Sequence, residues 1–173
     1  MSRICVNFAN IFQFWLKRLL FGKLCAIISK DIILKRRDDV KLIVCLSEED
    51  GMMFNHRRQS RDRVLIADMI RHVGNTPLWV SPYSAPLFGE DCSSLRVDAN
   101  PVLAAGETEY CFAEDTPLPK SLENTNEILI YRWNRLYPAD VYFTCDTSAF
   151  TLIQSEDFVG SSHDSITKEI WKK

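Results

Sequence analysis

The chain has 173 residues, 46% hydrophobic and 25% charged, which excludes disorder across its whole length and suits one domain with at most a small appendage. Its formal net charge of −2 hides a polarity: residues 1–74 carry 14 Lys+Arg against 8 Asp+Glu, and the remainder carries 7 against 15. That asymmetry leaves two readings open, a cationic face for an anionic ligand and mutual attraction of the two halves on folding.

Ile11 to Leu34 is rich in Phe, Leu, Ile and Trp but is interrupted by Lys17, Arg18, Lys23 and Lys30. A charge near the middle of a membrane span costs roughly 2.5 to 3.5 kcal/mol, and no uninterrupted apolar run approaches the roughly 20 residues a span needs, so no transmembrane span is expected. Lys23 also breaks any signal-peptide core, and no small-x-small cleavage pattern precedes Lys30. As a helix the segment places Phe12, Leu16, Leu19, Leu20 and Ile27 on one face with Lys23 among them. An imperfect amphipathic helix of this kind is open to membrane-surface contact, partner docking or core packing. Residues 1–39 therefore form an N-terminal apolar-basic extension, closed by the charged boundary Lys35 to Asp39, and the main domain is expected over 40–173.

Val40 to Leu46 predicts a mostly apolar strand, and Ser47 to Gly51 a polar turn. Leu65, Ile66, Met69, Ile70 and Val73 recur at helical spacing, with Ser60 as the expected N-cap and Gly74 as the stop. Further strands are expected at Pro77–Ser81, Leu95–Asp98, Tyr110–Ala113, Glu127–Tyr131 and Asp140–Phe143, with a helical turn over Pro101–Ala105. His163–Trp171 fits a short helix capped by Ser162, with Ile166 and Ile170 on one face. These elements predict an α/β fold: a single domain with a mixed sheet and few helices.

Six cysteines show no C-x-x-C pair and no short spacing to histidine, so neither a metal nor a cofactor is called for, and a reducing cytoplasm fits best. Two clusters hold candidate site residues. The first, Asn55 to Arg63, packs four arginines into nine residues ahead of the expected helix. Its functional reading is recognition of a phosphate-bearing ligand, nucleotide or RNA, by Arg57, Arg58 and Arg61, with Asn55 and Gln59 adding amide hydrogen bonds. Its plain reading is a solvated loop whose arginines pair with Glu48, Glu49, Asp50 and the acidic second half.

The second cluster, Tyr131 to Asp140, alternates Arg132, Asn134 and Arg135 with aromatic residues, a mixture suited to base stacking and phosphate contact as well as to a core. Both clusters follow expected strand ends, so convergence on one ligand is predicted. If the ligand is RNA and is cleaved, His56 and His163 are the candidate acid and base of a metal-independent ribonuclease. The alternative is a non-enzymatic interaction module whose arginines bind an acidic protein partner.

Lys41-Leu42-Ile43-Val44-Cys45-Leu46, the run Gly51-Met52-Met53-Phe54-Asn55 with Arg57 to Asp62, Tyr131-Arg132-Trp133-Asn134-Arg135 with Tyr137-Pro138, and Gly160-Ser161-Ser162-His163 carry a resemblance. They resemble a family of short, uncharacterised bacterial proteins that sometimes carry the label ribonuclease Z, over about Lys41 to Lys173. Ribonuclease Z itself binds two zinc ions through an H-x-H-x-D-H motif, which this chain lacks, so neither metal nor that fold is implied. A looser likeness, to dihydrofolate reductase, rests on an opening apolar strand followed by a glycine-containing loop, and no further motif extends it.

Overall fold

A computed structural model describes residues 40–90 and 92–173, so the expectations for the N-terminal extension lie outside the described residues. In chain order the elements are β1 (Val40–Leu46), β2 (Gly51–Phe54), β3 (Arg57–Arg58), α1 (Arg63–Val73), β4 (Leu78–Val80), a 3-10 turn (Ala85–Leu87) and β5 (Leu95–Val97). There follow α2 (Pro101–Ala104), β6 (Tyr110–Phe112), β7 (Thr125–Arg132), β8 (Val141–Tyr142), β9 (Thr151–Phe158) and β10 (Ile166–Lys172).

Seven strands make one mixed sheet in the order β5-β4-β6-β1-β7-β10-β9, and β3-β2-β8 make a small second sheet. β5, β4, β6, β1 and β7 run parallel, whereas β10 is antiparallel to both β7 and β9. The expected mixed α/β sheet with few helices is what the chain forms. β1 explains the apolar run at its centre: Ile43 packs toward α1 with Leu65, Met69 and Tyr131, while Leu42, Val44 and Leu46 pack on the other side with Met52, Met53 and Ile130. A central parallel strand buried on both faces has no polar alternation to show.

α1 begins at Asp62, not at Ser60. The Asp62 carboxylate accepts the N–H groups of Val64 (2.9 Å) and Leu65 (3.2 Å), satisfying donors that a helix start leaves unpaired. Leu65, Met69 and Val73 then bury one stripe, and Gly74 ends the helix at φ 59°. Two local expectations are corrected further along. The segment expected as a C-terminal helix is β10, and Ser162 caps no helix there. β9, which no pattern predicted, forms the sheet's outer strand and is exposed along most of its length.

β2 and β3 form a hairpin whose two-residue turn, Asn55 and His56, has both residues left-handed, at φ 48° and 58°. Gly51 opens it at a close approach: a Cβ there would lie 2.6 Å from the Ala139 Cβ and 2.7 Å from Ser47 Oγ. The hairpin thereby lies over the carboxyl end of β1.

Candidate functional site

Parallel strands point their carboxyl ends to one edge, where the chain leaves β4 at Ser81 and β6 at Ala113-Glu114-Asp115. These two exits are tied together by side chains. Ser81 Oγ donates to Asp115 (2.6 Å), Ser84 Oγ donates to Glu114 (2.8 Å), and the Ser84 N–H donates to Ser81 Oγ (3.1 Å). Glu114 is buried and Asp115 exposed. Burial is the largest influence on Glu114 and pushes its carboxyl above the usual range; Arg58 and Ser84 pull it back, and Asp115 pushes the same way as burial.

Arg58 arrives from β3. One guanidinium nitrogen lies 3.4 Å from a Glu114 oxygen and donates to the Tyr83 carbonyl (3.1 Å), and the guanidinium carbon sits 4.6 Å from the Tyr83 ring centroid. The Arg58 backbone N–H donates to the Tyr83 hydroxyl (2.9 Å). Beside this pair lies a cleft of about 570 Å³ lined by Met53, His56, Tyr83, Asp115, Asp140 and Val141. One oxygen of Asp140 accepts the Asn55 N–H (2.8 Å), as one oxygen of Asp115 accepts Ser81. The second oxygen of each has no donor among the described residues.

The residues predicted from sequence occupy several separate surroundings. His56 and Arg58 stand beside the cleft, and Asn55 reaches it through its backbone. Gln59 donates to the Pro138 carbonyl (3.3 Å), and Arg57 is exposed in the hairpin, paired with Phe54. Arg61 lines a different groove with Arg63, Ile66, Leu87 and Phe88. Arg132 is committed to Asp50 (2.9 Å) and Glu169 (3.0 Å). Asn134, at φ 50°, donates to Thr167 (2.8 Å), and the Arg135 guanidinium lies 5.7 Å from the Tyr137 ring centroid.

His163 is buried elsewhere. Its Nε2 is 2.9 Å from the Tyr137 hydroxyl, its Nδ1 is 3.1 Å from Ser162 Oγ and 3.4 Å from Asp62, and its ring stacks on Trp133 at 4.7 Å. Sequence reasoning passed over Tyr83, Glu114, Asp115 and Asp140. The signal for the middle two was two adjacent acids directly after a buried strand.

No protein-family model matches the chain, and no curated protein matches it. Among solved structures, a dihydrofolate reductase from Enterococcus faecalis complexed with NADP(H) and RAB-propyl is similar, with a TM-score of 0.54 and 8% sequence identity over 79% of this chain and 96% of that one. At that identity the likeness concerns the fold. It corrects the reading of the chain as a phosphate-ligand or RNA binding protein, with its metal-independent ribonuclease variant. At the site itself Arg58 and Arg132, two of the expected ligand arginines, are taken up by carboxylates of the chain, and Glu114 and Asp115 stand at the carboxyl edge of the sheet.

Among the described residues no helix is long and apolar enough to cross a membrane. Nor do three His, Cys, Asp or Glu side chains gather there in a metal-ligand arrangement.

Proposed function

We propose that the chain is a small-molecule-binding domain whose site takes a cationic or amine-bearing aromatic compound. The observation that carries this is the cleft of about 570 Å³ that Asp115 and Asp140 line together with Tyr83, His56 and the apolar Met53 and Val141. Two carboxylates with a free oxygen each favour a positive or hydrogen-donating group, and an aromatic face beside them favours a flat one. The fold supports the small-molecule part of the reading, because a protein similar in fold is seen complexed with NADP(H) and RAB-propyl. A cytoplasmic setting belongs to the same reading, supported by the four described cysteines, all free thiols.

Calorimetric titration with benzamidine and with benzoate tests it. Benzamidine is expected to bind and benzoate not to, and Asp115→Asn and Asp140→Asn are each expected to weaken benzamidine about tenfold. Equal binding of the two probes, or full benzamidine affinity in the doubly substituted chain, overturns the reading.

A further inference from the structure

Among the described residues Glu114 is the one buried carboxylate at this edge, and the group paired with it comes from a two-residue strand. β3 is two residues long, is the outer strand of its three-stranded sheet and pairs only with β2, through Met53 with Arg58 and Phe54 with Arg57. Its guanidinium makes an incomplete fit. The contact to Glu114 is 3.4 Å, longer than a good charge-assisted bond, and the other terminal nitrogen, Nη1, is buried with no hydrogen-bond partner. Planar cation, aromatic face and carboxylate are nonetheless stacked as a ligand would be. The same Tyr83 that carries Arg58 also lines the open cleft.

From this we propose that Arg58 is a built-in occupant of the site, holding the Tyr83–Glu114 seat until a planar guanidinium or amidinium compound displaces it. The proposal rests on the cationic-ligand reading above and sharpens it, because it names the ligand class and adds autoinhibition. A flat cation with two N–H groups on one edge can meet both Glu114 and the Tyr83 ring, which a round ammonium cannot do equally well. Displacement costs the Arg58 contacts but frees its orphaned nitrogen to reach water. Binding is then coupled to release of β3, whose departure leaves β2 paired with β8.

Arg58→Ala empties the seat, and Arg58→Met empties it while keeping most of the side-chain stem. With folding verified by circular dichroism, both variants are expected to bind benzamidine and methylguanidine about tenfold more tightly than the parent chain. Ethylammonium is expected to gain less. Adding Glu114→Gln is expected to abolish the gain. A thermal-shift series supplies a second reading that does not need the variants to be fully stable: benzamidine should raise the melting temperature of Arg58→Ala more than that of the parent. In the parent chain itself, saturation with benzamidine should shift the Arg58 Nε–Hε resonance as the guanidinium leaves the Tyr83 ring.

Parent-chain binding that depends on Asp115 and Asp140, but with no gain on removing Arg58 and an unmoved Arg58 resonance, overturns the autoinhibition and leaves the cationic cleft standing. No benzamidine binding by the parent chain or by either Arg58 variant overturns both. Binding by the Arg58 variants alone shows that no such compound displaces Arg58, and overturns both the displacement and an open cleft in the parent chain.

Discussion

Asp62 accepts the backbone N–H of Ser162 at 2.7 Å, a bond between residues one hundred positions apart. The same carboxylate accepts the Ser162 hydroxyl at 3.0 Å while its other oxygen caps α1 through Val64 and Leu65. One buried side chain therefore both starts the helix and fixes the loop that leads into β10. Asp62→Ala removes a helix cap and leaves Ser162 without its acceptor, so a loss of about 3 kcal/mol is expected. Urea unfolding at neutral pH measures it, and a loss below about 1 kcal/mol would show that the loop is held by other contacts.

A pH dependence follows from the same group. Burial, the largest single influence, works to raise the Asp62 pKa, but the Ser161, Ser162 and Leu65 backbone groups and the Ser162 hydroxyl together outweigh it and hold the carboxyl well below the usual range. A carboxylate depressed in the folded chain contributes stability that is complete above its unfolded value, about 3.9, and is lost as pH falls from there through the folded value. The stability gap between the parent chain and Asp62→Asn should accordingly narrow steadily below about pH 4. Denaturant titrations at a series of pH values read this directly. A gap that widens toward acid would reverse the sign and contradict the depressed carboxyl.

Gly160 lies against this network. A Cβ at that position would collide with the Asp62 carboxylate and lie 2.8 Å from the Ile166 side chain, and Asp62 is held by too many donors to give way. Gly160→Ala is expected to destabilise by about 1 to 3 kcal/mol, as overpacking of a closed site does. Gly74→Ala supplies the contrast, since its cost is backbone strain at φ 59° with open space around the new methyl. Melting temperatures of the two variants separate them when combined with Asp62→Ala: the Gly160 effect should shrink in the double variant, and the Gly74 effect should add.

The strands most visible in the sequence, β1 and β7, are long and buried on both faces, where an unbroken apolar run suffices to mark them. β10 carries a pattern that fits a helix as well as a strand. Ile166 and Ile170 are four apart, a spacing that fits one face of a helix and equally one face of a strand, and the position between them is Lys168. In the folded chain Lys168 donates to Asp68 of α1 at 2.7 Å, and that carboxylate also accepts the Tyr131 hydroxyl at 2.8 Å. A charge that is half-buried only because a helix elsewhere supplies its partner breaks the alternation. β9 was invisible because an outer strand exposed on nearly all its residues has no apolar face to announce it.

Site residues were harder to read for a related reason. The arginines stood out by density, yet what decides their role is the location of carboxylates far along the chain. Asp50 lies 82 positions from Arg132, and Glu114 is distant in sequence from Arg58. Pairing of arginines with the acidic second half, one of the two readings open from the charge polarity, is realised at Arg58. The pair Arg132 and Asp50 joins the halves in the opposite sense. Glu114, Asp115 and Tyr83 acquire meaning only once β4 and β6 lie side by side.

Cys45 gives a chemical test of the arrangement around Arg58. It lies on the α1 side of β1, packed against the core, and burial pushes its thiol well above the ordinary value; Glu114 adds to that rise and Arg58 opposes it. Because the thiolate is the reacting form, iodoacetamide at about pH 8 should label Cys45 more slowly in the folded chain than in urea. Removing the opposing cation in Arg58→Met should slow it further in the folded state while leaving the rate in urea unchanged. Peptide mapping resolves Cys45 from the other five cysteines. Labelling of folded Cys45 at the unfolded rate would show the thiol to be accessible, and faster labelling in Arg58→Met would place the guanidinium as a steric shield over the strand end, its charge being secondary.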